Sequence, residues 1–206
     1  MPRTLYGGAI EAVLPASFRD VSDLRQVPDH QEVFVDQGSE ASLIVELLSL
    51  DADVADEHAV QHYFNQLAEH NEAATSAVLD QAIVADPSFM LSFSAHPRMA
   101  LVGRQSVPKH RPEGEGAEAD DVCIVLVLVR LRDVTTDLLC SLNMPFPSAI
   151  AAAAAGEGEL RADFNVAQLI PALSTTTPST EPQAIALQML RDFVNSMVIK
   201  DRGLFC

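Results

Sequence analysis

The chain has 206 residues, enough for one α/β domain with a closed core and too few for two comfortable ones. Hydrophobic residues make up 48% and charged residues 20%, a globular balance that needs no disulfide staples at this size. Against 29 Asp and Glu stand 13 Lys and Arg, and the net charge of −16 repels nucleic-acid backbones and anionic lipid headgroups while suiting a basic protein surface.

Leu5 to Leu14 reads as strand material with a Gly7-Gly8 pair, where the backbone bulges or approaches a neighbour closely. Asp20 to Pro28 is polar and turn-forming, with Ser22 and Asp23 suited to cap a short helical turn. Glu32 to Val35 and Ser42 to Leu50 follow as strands. In the first clear helix, Ala59, Val60, Tyr63, Phe64, Leu67 and Ala68 recur at helical spacing. Asp53 is its candidate cap, and Asp56 places a carboxylate where the helix dipole favours one.

Phe89 to Val107 reads as extended structure broken near Pro97, two strands with a turn. Pro112 to Asp121 is an acidic, glycine-bearing loop, and Val122 to Leu131 is a buried strand by composition. Asp137 to Leu142 is its expected antiparallel neighbour after a turn at Arg132 to Thr135. The sequence then loosens and includes an alanine run, Ala151 to Ala155. Thr180-Glu181-Pro182-Gln183 matches a capping box. The helix it opens carries Ile185, Ala186, Met189, Leu190, Phe193, Met197 and Val198 on its apolar side and closes near Lys200. Several strands between an early and a late amphipathic helix predict a mostly antiparallel sheet with helices packed on it, in a single domain over 1–206 with flexible loops at 110–121 and 146–180.

The three cysteines, Cys123, Cys140 and Cys206, are far apart and lack C-x-x-C spacing, so neither a disulfide framework nor a zinc cage is expected. Met1 to Ile10 carries no long apolar stretch or cleavage motif, and the longest apolar run, Val122 to Val129, is too short to span a bilayer as a helix. A soluble chain without membrane insertion is expected, with no coiled-coil heptad to argue against a monomer. No phosphate-binding loop, dinucleotide fingerprint, nucleophile elbow or H-E-x-x-H is present, which speaks against an enzyme and implies no cofactor. His58 and His62 share a helix face without a third ligand at diagnostic spacing, so a solvated face is favoured over a metal site. Asp51 and Asp53 lack the ring of further oxygens a hard cation needs.

The stretch Asp20 to Phe34 packs Asp20, Asp23, Arg25, Asp29, His30 and Glu32 into a turn-rich run before a strand. Pro28 restricts Val27 to extended geometry. Taken alone, these residues favour an ordinary capped turn over a recognition surface. The longer pattern points further. Leu5-Tyr-Gly-Gly-Ala-Ile10, Asp20-Val-Ser-Asp-Leu-Arg25, Val27-Pro-Asp-His-Gln-Glu-Val-Phe34 and Ser42-Leu-Ile-Val-Glu-Leu-Leu48 resemble the signature of the Ran guanine nucleotide release factors. Thr136-Asp-Leu-Leu139, Asn143-Met-Pro145 and Leu204-Phe205 continue the likeness.

That resemblance implies a three-layer α/β/α sandwich with a mostly antiparallel central sheet, the Mog/PsbP-like fold. It also implies a non-catalytic regulator that binds the small GTPase Ran, promotes loss of its nucleotide and supports nuclear protein import, placed in nucleus and cytoplasm. A Ran-binding co-factor is a further candidate partner. Asp29 and Glu32 match the family's acidic contacts, with Asp20, Asp23, Arg25, His30 and Gln31 in the same signature. Two departures stand out: Tyr63, Asn65 and Gln66 replace a histidine and acidic pair common in relatives, and Val134 stands at a position often aromatic. A trafficking adaptor on the same fold is the alternative.

Overall fold

The computed structural model describes residues 1–22, 24–108, 119–145 and 182–205. In chain order the elements are β1 (Pro2–Leu5), β2 (Ile10–Val13), β3 (Phe18–Asp20), β4 (Gln31–Asp36), β5 (Ser42–Ser49), α1 (Asp56–His70), β6 (Thr75–Ile83), β7 (Arg98–Pro108), β8 (Ala119–Leu131), β9 (Thr136–Pro145), α2 (Pro182–Ser196) and β10 (Val198–Ile199). Strands β3-β4-β5-β9-β8-β7-β6 form a seven-stranded sheet, and β1-β2-β10 a three-stranded one. Every described pairing is antiparallel.

The apolar run of β8 is explained by its place between β7 and β9, covered on both faces. Side chains alternate across a strand, so Ile124, Leu126 and Leu128 point one way and Cys123, Val125, Val127 and Val129 the other. The first set joins Ala59, Val60, Tyr63 and Phe64 of α1 in the smaller core. The second joins Leu187, Leu190, Phe193 and Val194 of α2 and Leu5, Ile10 and Ala12 of the small sheet in the larger one. Each Leu, Phe or Val so buried contributes about 1.5–3 kcal/mol. The sheet between two covered faces is the expected three-layer sandwich.

One close approach fixes where α1 lies. A Cβ built on Gly103 of β7 would sit 2.3 Å from Cζ of Phe64. Only a glycine lets the ring lie against the strand.

Several local expectations are corrected. The N-cap of α1 is Ala55, without a side-chain bond, while Asp53 donates its backbone N–H to Asp51 Oδ1 at 2.9 Å in a turn of the preceding loop. Residues Leu91–Phe93 form a 3₁₀ turn, and Arg98–Pro108 is one continuous strand, so Pro97 precedes a strand instead of dividing two. Ala119, Asp120 and Asp121 belong to β8, not to the acidic loop, because they pair with Pro108, Val107 and Ser106. Strand β6 has no counterpart among the sequence-based expectations: as the sheet's edge it is largely exposed and shows no apolar run. Helix α2 ends at Ser196, and Ile185 and Val198 are exposed. Lys200 closes no helix; its Nζ lies 3.2 Å from Glu11 beside the β2–β10 pairing. The rest of the acidic loop, the 146–180 connection and Thr180 of the capping box lie outside the described residues.

Candidate partner-binding site

The β3–β4 connection and the first residues of β4 build an acidic corner of the large sheet. Asp20 ends β3 and accepts the Ser22 N–H at 2.8 Å, which bends the chain out of the strand. The carbonyl of Val21 takes the N–H groups of Leu24 and Arg25 at 2.9 and 3.0 Å, making a compact turn. A second turn closes where the Gln31 N–H reaches the Pro28 carbonyl at 2.9 Å, and it sets Asp29 and His30 at its tip. Pro28 suits this place because its fixed φ enters the turn without conformational cost.

Both tip residues are exposed, and among the described residues no hydrogen bond or ion pair holds the side chain of Asp29. Arg25 is exposed in the same loop, and Asp23 lies outside the described residues. Alternation then divides the acids of β4 and its neighbours. Glu32 shares a face with Phe34 and with Asp20, the cross-strand partner of Phe34. Gln31 faces the other way, and its Nε2 donates to Glu46 Oε1 at 2.6 Å.

The N-terminal segment completes the corner. The Tyr6 N–H donates to Glu32 Oε1, and the Tyr6 hydroxyl reaches the carbonyls of Val45 at 2.9 Å and His30 at 3.2 Å. Burial pushes the Glu32 carboxyl above the ordinary glutamate range; the Tyr6 N–H works against that shift and Asp20 adds to it. Burial likewise raises Glu46, which is only 8% exposed, against the pull of Gln31, His30 and His70. Burial also drives the Tyr6 phenol far above its ordinary value, so it stays a donor.

The structure thus brings Asp20, Arg25, Asp29, His30 and Glu32 together around one corner, with Gln31 turned to the opposite face of β4. Three contributors went unread in the sequence. Glu46 is next to Gln31 only through strand register, and Tyr6 meets Glu32 across 26 positions of chain. Leu24, 79% exposed among polar neighbours, is the third. An apolar residue in an otherwise polar turn is the one signal that a reader of the sequence could have used.

Other candidates resolve differently. His62 Nε2 lies 2.9 Å from Gln66 Nε2, and His58 lines the rim of a shallow depression with Asp53, Gln61 and Asn65. Among the described residues no three His, Cys, Asp or Glu side chains converge to hold a metal ion. Cys123 and Cys140 are free and buried, with thiol pKa values pushed up to about 12, which leaves no nucleophilic thiolate near neutral pH. Tyr63 is turned inward, its hydroxyl donating to Asp137 Oδ2 at 2.8 Å, so it does not stand in for a surface histidine. Val134 packs against the larger core. Among the described residues no helix is long and apolar enough to cross a membrane.

A family model described as the Ran-interacting Mog1 protein matches residues 3–145. The chain belongs to this family. A Ran guanine nucleotide release factor of Homo sapiens is 37% identical over 143 residues, covering 69% of this chain and 75% of that protein. A probable one of Dictyostelium discoideum is 30% identical over 215 residues, covering 98% and 95%. The crystal structure of the Saccharomyces cerevisiae Ran-binding protein Mog1p superposes with a TM-score of 0.68 at 25% identity, covering 100% of this chain and 98% of that one. A glutamate-to-alanine mutant of Mog1 gives 0.66. The matched span holds the whole acidic corner.

Proposed function

We propose that this chain binds the small GTPase Ran and promotes release of its guanine nucleotide in support of nuclear protein import, as a regulator and not a catalyst. The observation that carries the reading is the corner itself. An exposed, unengaged Asp29 stands beside a half-buried Glu32 already held by a backbone N–H, inside the span that matches the Ran-interacting family. Ordered acids of this kind lose little entropy on docking. The net charge of −16 supports fast, salt-sensitive encounter with a basic surface.

Asp29 and Glu32 pair with a basic group that otherwise holds a nucleotide phosphate, while carboxylates near that site repel phosphate and compete for Mg²⁺. Binding then favours the nucleotide-free state. By linkage, the factor by which this chain weakens nucleotide binding equals the factor by which nucleotide weakens binding of this chain. Asp20, Asp23, Arg25, His30 and Gln31 frame the contact, and Leu24 adds an apolar one. The unit is a single domain over 1–206, monomeric, present in nucleus and cytoplasm, with room for a Ran-binding co-factor.

The test is release of a fluorescent guanine nucleotide from Ran. Wild type accelerates it, and Asp29→Ala and Glu32→Ala each lower that acceleration by about tenfold or more, the loss typical of truncating a buried charged contact. Normal acceleration by both variants would remove the assignment of the corner. No acceleration by wild type, with no binding to Ran, would remove the function.

A further inference from the structure

Three consecutive residues at the N-terminal edge of the acidic corner have left-handed backbone: Tyr6 at φ 50°, Gly7 at 64° and Gly8 at 99°. Glycine takes this conformation freely, but for a bulky aromatic residue it is a strained outlier. Strain persists only where surrounding contacts over-determine it, and it collects at functional sites. Here the contacts are identifiable. The ring of Tyr6 packs against the larger core, its hydroxyl is shared between the carbonyls of Val45 and His30, and its N–H meets the Glu32 carboxylate.

We propose that Tyr6, through the left-handed Tyr6-Gly7-Gly8 turn, is a positioning residue that holds Glu32 and the Asp29–His30 turn in the geometry that engages Ran. This rests on the function proposed above. One residue grips both halves of the acid pair: the carboxylate of Glu32 through its N–H, and the backbone beside Asp29 through its hydroxyl. The bond from the N–H leaves the second Glu32 oxygen free to accept from a basic group. Were the turn to relax into right-handed geometry, the core-packed ring and the Leu5–Tyr6 peptide could not both keep their places, and a shift of that peptide would leave Glu32 half-buried without its donor. The carboxylate would then favour its protonated form, since burial already disfavours the charge.

The experiment measures Ran affinity and nucleotide release for wild type, Tyr6→Phe, Tyr6→Ala and Gly8→Ala, each also in a Glu32→Gln background, with thermal unfolding alongside. Tyr6→Phe keeps the ring and the N–H and loses only the hydroxyl clamp, so a drop of about fivefold is expected, the worth of one net hydrogen bond. Gly8→Ala, which frees the turn but keeps the hydroxyl, lowers affinity by about tenfold and costs less than about twofold in the Glu32→Gln background, where its route through the carboxylate is already cut; Tyr6→Ala also lowers affinity by about tenfold but keeps a loss of about fivefold in that background, because the hydroxyl clamp on the Asp29–His30 turn is lost in either. They also move the acid limb of the pH profile to higher pH, which a purely structural residue would not do. Equal losses from Gly8→Ala in both backgrounds, or an unmoved acid limb, would overturn the proposal. If Tyr6→Ala unfolds, Tyr6→Phe and Gly8→Ala decide it. Should Glu32→Gln itself release nucleotide normally, the proposed site fails; should Glu32→Gln be impaired while the Tyr6 and Gly8 variants behave as wild type, only this inference fails.

Discussion

The acidic corner and the polar cluster under the N-terminus of α1 are built from the same kinds of residue and end up in opposite states of pairing. In the cluster, Arg130 is 1% exposed and every nitrogen of its guanidinium is used. Nε meets Asp137 Oδ1 at 3.2 Å, one terminal nitrogen meets the Val54 carbonyl at 2.5 Å and Asp56 at 3.0 Å, and the other meets the Asp51 carbonyl at 2.5 Å. Tyr63 donates to the remaining Asp137 oxygen at 2.8 Å, and Arg132 donates at 2.7 Å to the same Asp56 Oδ1 that accepts from Arg130. Burial disfavours the Arg130 charge, but Asp137 and Asp56 outweigh it and hold the group above its ordinary pKa. In the corner, by contrast, Asp29 is bare and Glu32 and Glu46 are acids without a cationic partner at salt-bridge distance among the described residues. A saturated polar cluster fastens a helix to a sheet. An acidic cluster left without cations keeps its capacity to pair, which the proposed docking would use.

That contrast can be broken most strongly from the saturated side. Arg130→Ala leaves Asp137 buried without its cation and is expected to cost about 3–5 kcal/mol in urea unfolding, whereas Asp29→Ala stays within about 0.5 kcal/mol of wild type. If both changes cost the same, the division between fastening and docking is wrong. Next comes Gly103→Ala, which forces the Phe64 ring off β7. Phe64 is 1% exposed and has nowhere to move, so a loss of about 1–3 kcal/mol in the same unfolding measurement is expected. Release of nucleotide from Ran by the folded Gly103→Ala protein should remain near wild type, because the corner lies on other strands.

The smallest effect is one of pH. Glu46 has a folded pKa raised by burial, so the folded protein binds its proton more readily than the unfolded chain. Its contribution to stability is therefore complete below the unfolded glutamate value and is lost as pH rises through the folded one. Glu46→Gln keeps an acceptor for Gln31 and removes the buried charge. It should raise the melting temperature at neutral pH, with the gain shrinking toward zero as the pH falls below the ordinary glutamate range. A gain independent of pH would show that charge burial is not its source.

The sequence by itself determined the parts of the molecule that rest on local pattern. The apolar runs of β5, β8 and β9, the helical spacing of α1 and α2, and the turn chemistry around Pro28 all follow from residues within a few positions of one another. The signature from Leu5 to Leu48 located the acidic corner in the same way, by linear order. Strand β6 escaped because an exposed edge carries no apolar pattern, and the cap of α1 was misplaced because Asp53 found a nearer turn to bond. Only the tertiary structure decided which acids are free and which are held. Arg130 could choose among Asp51, Asp56 and Asp137 only once β8, β9 and the α1 loop had met. Tyr6 could grip Glu32 only once β4 had been laid beside the N-terminal turn. Apart from Arg130 with Asp137, seven positions away across the β8–β9 hairpin, pairings of that kind span 26 to 79 positions and depend on which strands and loops meet, which no local preference of the chain encodes.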